Sequence, residues 1–162
     1  MNIIILIPVF NDFKSVSKLI EEIDINISDF NASFSVVIVN DASTEEKNLE
    51  TKNLNNIKSL KLISMRNNKG HARCIAAGLK HITENEEFDY VIPMDGDGED
   101  RPEEIRKFVE KIKDNPNSTI VGERVKRSES LIFKICYFLH KIITFTFTGK
   151  FIKFGNFTCL SK

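Results

Sequence analysis

Asp95 and Asp97 stand two residues apart in Met94-Asp95-Gly96-Asp97-Gly98-Glu99-Asp100, directly after the apolar run Tyr90-Val91-Ile92-Pro93. That run is too short for a helix and rich in Val and Ile, which predicts a buried strand with both carboxylates at its carboxyl end. In open α/β sheets ligands bind at this edge. Gly96 and Gly98 tolerate unusual backbone angles and let the chain turn so that the two carboxylates converge. Converged carboxylates repel unless a cation lies between them. Hard oxygen donors suit Mg²⁺ or Mn²⁺, which keep some waters and take the rest of their shell from substrate phosphates.

Part of the acidic cluster has a simpler reading. Asp100 with Glu103 fits a capping box for the next helix, and Pro102 suits a first turn. This leaves Asp95, Asp97 and Glu99 unexplained. An EF-hand calcium loop starting at Asp95 fails, because Asp100 stands where glycine is required, Arg106 where the closing Glu belongs, and a strand precedes it.

The elements that must position these acids alternate along the chain. Ile3-Ile4-Ile5-Leu6-Ile7 predicts a strand covered on both faces, ending in Pro8-Val9-Phe10-Asn11-Asp12. It lacks the basic flank and cleavage site of a signal peptide. Val16, Leu19, Ile20, Ile23 and Ile27 follow at helical spacing. Phe34 to Val39 is a second buried strand, ending in Asn40-Asp41-Ala42-Ser43. A polar helix or loop leads to a third strand at Leu60 to Met65, then the turn Arg66-Asn67-Asn68-Lys69-Gly70. Ala72, Ile75, Ala76, Leu79 and Ile82 mark a small-residue helix. A helix from about Pro102 to Lys113 and a strand at Thr119-Ile120-Val121 complete a doubly wound, mainly parallel α/β pattern.

Composition narrows the functional classes. The 162 residues suffice for one domain, and 23 basic against 23 acidic side chains give no field to attract nucleic acid. Cys74, Cys136 and Cys159 are widely spaced with no C-x-x-C, which argues against a disulfide framework or zinc site and fits a reducing cytosol. There is neither a G-x-G-x-x-G nor a P-loop to cradle phosphates.

Four stretches, Pro8-Val9-Phe10-Asn11-Asp12, Asn40-Asp41-Ala42-Ser43, Asn68-Lys69-Gly70-His71-Ala72-Arg73 and Asp95 to Glu103, resemble in order and rough spacing the family 2 glycosyltransferases of GT-A fold. Gly122-Glu123-Arg124-Val125-Lys126-Arg127 and Gly155 to Lys162 resemble the branch that makes dolichyl- or undecaprenyl-phosphate sugars. The resemblance implies a Rossmann-like nucleotide-binding domain and a metal-dependent, hexosyltransferase-type enzyme using a UDP- or GDP-linked sugar with Mg²⁺ or Mn²⁺. By position, Pro8, Phe10, Asp12, Asp41, Gly70, Arg73 and Asp95 hold the nucleotide. Asp95 and Asp97 match the family's D-x-D and hold the metal. Glu99 stands where the branch often has a Gln ligand, and Arg124 matches an arginine that helps hold phosphate. Without the resemblance, Asp41 reads as an Asx-type turn or cap, Arg124, Lys126 and Arg127 as a solvated basic turn, and His71 as a surface histidine.

Residues 1–127 are expected to form the nucleotide-sugar-binding core. Residues 128–162 are expected to hold an amphipathic helix and the start of an acceptor-side region, since catalytic domains of the family continue further. On a helix through Leu131 to Thr148, Lys134, Tyr137, Lys141, Thr144 and Thr148 form a narrow polar stripe among aromatics. That suits a membrane interface or burial against further protein. The acceptor implied is polyprenyl phosphate or another membrane-linked group, with the chain peripheral at the cytoplasmic face of a membrane. Two alternatives stand beside this reading. One is a receiver-like Mg²⁺-binding signalling module, which needs a Lys after a late strand where Gly122-Glu123 stands. The other is a nucleotide-binding domain without turnover.

Overall fold

The computed structural model describes residues 1–46, 48–51, 53–122, 138, 142, 143, 145–147, 149 and 157–162. Arg124, Lys126 and Arg127, the polar stripe Lys134, Tyr137, Lys141, Thr144 and Thr148, and Gly155 lie outside the described residues. Met1–Ile120 with Asn156–Lys162 makes one compact unit and Val121–Gly155 another.

In chain order the elements are β1 (Asn2–Val9), α1 (Phe13–Asn26), β2 (Ser33–Asn40), β3 (Ile57–Ser64), α2 (His71–Asn85), β4 (Tyr90–Pro93), a 3₁₀ turn (Pro102–Glu104), α3 (Ile105–Asp114), β5 (Ile120–Val121) and β6 (Thr158–Ser161). The sheet runs β3-β2-β1-β4-β6-β5. β1 lies parallel to β2 and β4, β2 parallel to β3, and β6 antiparallel to β4. The mainly parallel, doubly wound expectation is met, with one antiparallel strand added.

The period-two geometry of a strand sorts β1 between two cores. Ile3, Ile5 and Ile7 join Val16, Leu19, Ile20 and Ile23 of α1 and Ile105, Phe108, Val109 and Ile112 of α3 on one face. Ile4 and Leu6 join Cys74 and Ile82 of α2 on the other. The α1 and α3 stripes are those the sequence predicts. In α2 the deepest line is instead Cys74, Gly78 and Ile82, while Ala72 and Ala76 are exposed. A Cβ on Gly78 would lie 2.5 Å from Leu6 Cδ1 and 2.7 Å from Val39 Cγ2, so the missing side chain sets how closely α2 approaches the sheet.

The Asp100 carboxylate accepts the Asp95 N–H at 3.0 Å, and the chain enters α3 through a 3₁₀ turn at whose start Arg101 makes no side-chain cap. Thr158–Ser161 is β6 of the central sheet. Phe157 and Cys159 are buried two residues apart, and Phe157 packs edge-on against Phe108 at 4.8 Å.

The Asn-rich stretch before β3 is a loop, and Asp24 explains how it is held. This α1 carboxylate, 5% exposed, accepts the N–H groups of Asn55 at 3.0 Å and of Asn56 and Ile57 at 2.8 Å. Burial alone pushes its pKa up, but these bonds and the Asn56 side chain outweigh it and hold the pKa below the ordinary carboxylate value.

In the second unit, Phe138, Ile142, Ile143, Phe145 and Phe147 are helical and exposed. The Gly149 N–H bonds to the Phe145 carbonyl at 2.8 Å with φ +67°, the left-handed geometry of a helix end.

Candidate functional site

The strand order reverses between β1 and β4, and α/β sheets open a crevice at such a switch point. The loops leaving β1, β2 and β4 meet there. The β1 and β2 loops are latched by Asn11, whose left-handed φ of +57° a short polar side chain tolerates. Its N–H donates to Ser43 Oγ at 2.9 Å, and its Oδ1 accepts the Thr44 N–H at 2.8 Å. Beneath the latch, fully buried Asn40 accepts the Ser43 N–H at 2.9 Å. Asp12 accepts the Ser15 N–H at 3.1 Å and so caps α1 while it lines the crevice.

Asp41 is 4% exposed, and each of its carboxylate oxygens accepts a backbone N–H, Lys69 on Oδ1 and Gly70 on Oδ2, both at 2.8 Å. This bracket joins the end of β2 to the start of α2. Gly70 turns the chain there with φ +84°, a region L side chains rarely adopt. Arg73, in the first turn of α2, is exposed.

After β4 the loop folds back under its own carboxylates. The Glu99 N–H donates to Asp97 Oδ1 at 2.9 Å, and Gly98 takes φ +80°. Gly96 meets a need different from the expected one. A Cβ on it would stand 2.9 Å from Val16 Cγ2 and 3.1 Å from the Pro8 carbonyl oxygen, so it permits close approach to β1 rather than a positive φ. Asp95 is brought to His71, whose Nε2 lies 3.0 Å from Asp95 Oδ1.

The result is a cavity of about 330 Å³ lined by Pro8, Val9, Phe10, Asp12 and Val16 on one side and by His71, Asp95, Gly96 and Asp97 on the other. Pro8, Phe10, Asp12, Asp95 and Asp97 are thus brought together. Asp41, Gly70, Arg73 and Glu99 stand behind or beside this lining. Among the described residues no three His, Cys, Asp or Glu side chains gather into a metal-holding cluster. A Mg²⁺ or Mn²⁺ ion that keeps waters and binds substrate phosphate needs only one or two protein carboxylates, and Asp95 and Asp97 fit that requirement.

Sequence reasoning set His71 aside as a surface residue. Its position directly after the Gly70 turn was the available signal, but its partner lies across the fold. Among the described residues, Cys74 and Cys159 add no chemistry here. Burial, with the Asp41 charge, pushes the Cys74 thiol up to about 11, and burial pushes Cys159 up to about 12. Both are free and unreactive at neutral pH.

The profile of glycosyl transferase family 2 matches residues 4–161. Curated relatives include an undecaprenyl-phosphate 4-deoxy-4-formamido-L-arabinose transferase of Klebsiella pneumoniae, 25% identical over 98% of this chain and 47% of its own length. A dolichol-phosphate mannosyltransferase of Pyrococcus furiosus is 26% identical over 78% of this chain and 34% of its own length. The chain spans about half the length, 60% and 47%, of the first curated relatives it matches. Among solved structures, S. aureus TarS 1-349 superposes with a TM-score of 0.56 at 21% identity, over 79% of this chain and 39% of that one. The same protein in complex with UDP gives 0.54 at 20% identity, over 81% and 38%. The receiver-like alternative falls with this match, since receivers order their strands 2-1-3-4-5 and this sheet does not. The sheet, its switch-point cavity and the profile match over nearly the whole chain agree: the fold is GT-A, and the chain belongs to glycosyl transferase family 2.

Proposed function

We propose that this chain binds a nucleotide-diphosphate sugar, UDP- or GDP-linked, and serves its transfer to a polyprenyl phosphate or another membrane-linked acceptor. The observation that carries this reading is the cavity at the β1/β4 switch point, where two strand-end carboxylates open beside an exposed aromatic ring. Phe10, 48% exposed, offers a face on which a base can stack, and Pro8 and Val9 form an apolar wall next to it. Asp41 acts from behind by fixing the Lys69–Gly70 turn. Asp95 and Asp97 would hold Mg²⁺ or Mn²⁺, which when bound supplies Lewis-acid stabilisation to the charge growing on the departing nucleoside diphosphate. Arg124 is assigned to the phosphates by its sequence position alone. A lipid phosphate acceptor is already anionic, so the chain then needs no carboxylate base.

The acceptor class is supported by the two lipid-phosphate sugar transferases among the relatives, and the nucleotide class by the TarS complex with UDP. Exposed Phe138, Ile142, Ile143, Phe145 and Phe147 suit peripheral contact with a membrane, for which we propose the cytoplasmic face. Among the described residues no helix is long and apolar enough to cross one.

Thermal unfolding with UDP or GDP, each with Mn²⁺ and with EDTA, tests the donor site. Ligand a hundredfold above its dissociation constant should add about 2.7 kcal/mol, and only with the divalent ion present. Equal stabilisation in EDTA refutes the metal assignment. Asp97→Asn should abolish the gain and keep the fold.

A further inference from the structure

The His71–Asp95 pair is not accounted for by nucleotide or acceptor binding. His71 opens α2, and its backbone position is fixed because Asp41 holds the N–H groups of Lys69 and Gly70 immediately before it. From there the imidazole reaches across the crevice to a carboxylate delivered by a different strand, at hydrogen-bond distance. Asp95 is meanwhile held at its backbone by buried Asp100. Its main chain is therefore fixed from below and its carboxylate from the side, and both His71 and Asp95 face the same cavity.

We propose that His71 is a positioning residue that holds the Asp95 carboxylate in the orientation from which it meets a divalent ion and its nucleotide diphosphate. This rests on the metal–nucleotide reading of the site. A carboxylate on a single flexible bond beyond Cβ loses orientational freedom when it binds an ion, and a fixed imidazole removes part of that freedom beforehand. Hydrogen-bond partners that orient metal-binding groups are typically worth about 10–100-fold in metal affinity. His71 sits in the half-exposed rim with its side chain 45% exposed, so it contributes little to the core and its removal should be felt at the ion first.

The test uses the full chain with His71→Ala and His71→Gln. Free Mn²⁺ is followed by electron paramagnetic resonance during titration at saturating UDP, and separately at saturating GDP. UDP and GDP affinity at saturating Mn²⁺ and the unfolding midpoint are measured alongside. The expected result is that His71→Ala raises the Mn²⁺ concentration for half-saturation about tenfold, with nucleotide affinity at saturating Mn²⁺ and the midpoint unchanged. His71→Gln, whose amide N–H reaches a similar point, should restore most of the loss. An unchanged Mn²⁺ requirement in His71→Ala overturns the role, as does a glutamine variant as impaired as the alanine one. If His71→Ala fails to fold, His71→Gln decides alone: a requirement near that of the unaltered chain supports positioning, and one shifted about tenfold overturns it. If the unaltered chain shows no Mn²⁺-dependent nucleotide binding, the reading of the site fails and this role goes with it. Intact Mn²⁺-dependent binding that does not respond to His71 removes only the inference.

Discussion

Replacing Asp41 by alanine should act on the fold first and on nucleotide binding second. Its two oxygens accept two backbone N–H groups at 2.8 Å in a setting 4% exposed, so neither bond is readily replaced by bulk water. Hydrogen bonds to a charged acceptor contribute about 1.5–3 kcal/mol each, and partial rehydration of Lys69 and Gly70 reduces the sum, which puts the loss at about 3–4 kcal/mol. For a chain of this size, roughly 2–4 °C per kcal/mol converts that to a midpoint about 6–16 °C lower. Asp41→Asn keeps one acceptor but turns an NH₂ toward the other N–H, so it should lose at least half as much. Circular dichroism on heating gives the midpoints. Mn²⁺ titration at saturating UDP or GDP, below the transition, then asks whether Asp41 also touches the ion. The bracket predicts weaker nucleotide binding with an unchanged Mn²⁺ requirement, because the loosened turn sits behind the cavity. An unshifted midpoint in Asp41→Ala would refute the structural argument, and a shifted Mn²⁺ requirement would place Asp41 in the coordination shell.

Asp24 supplies a pH test. Its folded pKa is lowered, so the stability it contributes is fully present above the ordinary value of 3.8 and is lost as pH falls through the folded pKa. Asp24→Asn should therefore cost stability at pH 7 and show a shallower acid loss than the unaltered chain; parallel curves of denaturation midpoint against pH would contradict this. Gly96→Ala forces a methyl group against the Pro8 carbonyl and Val16, and should cost about 1–3 kcal/mol while weakening Mn²⁺-dependent UDP or GDP binding. An alanine variant of unaltered midpoint and binding would show that the loop has room. With thiols near 11 and 12, Cys74 and Cys159 should resist iodoacetamide at pH 8 until the chain unfolds, as peptide mapping by mass spectrometry can read. Rapid native labelling of either would mean that its burial is transient.

The central strands and the two flanking helices were legible because local pattern and global packing agree in them. Ile3 to Ile7 is apolar at every position, as a strand between two helical layers must be, and the α3 stripe at Ile105, Phe108, Val109 and Ile112 is unbroken. β6 was not legible. Four residues with Thr and Ser among them carry little propensity, and this strand forms because β4 offers it a hydrogen-bonding edge. The inward line of α2 was legible in part, since Ile75, Leu79 and Ile82 do pack on the core, but Gly78 was not. Gly78 counts as a weak helix residue in sequence, yet its lack of a side chain is what lets the helix sit against Leu6 and Val39.

At the site, residue types were legible and pairings were not. Asp95 and Asp97 announce themselves by composition and place, and the cavity does collect them with Pro8, Phe10 and Asp12. The partners that hold this arrangement come from other loops: Asn11 bonds to Ser43 and Thr44, Asp41 to Lys69 and Gly70, and His71 to Asp95. Each is a polar residue whose ordinary local role, a turn, a cap or a solvated surface, is equally plausible until the strands are aligned. Parallel strands make such long-range pairing unavoidable, since every loop that meets at their carboxyl edge is separated from the next by a whole crossover connection. The four loops after β1, β2, β3 and β4 therefore behave as one tied unit, in which a substitution at Asn11 reaches the β2 loop and one at Asp41 reaches His71 and, through it, Asp95. A variant that impairs nucleotide binding from any of these positions identifies the unit. Only a separate reading of ion requirement and unfolding midpoint identifies which member touches the ligand.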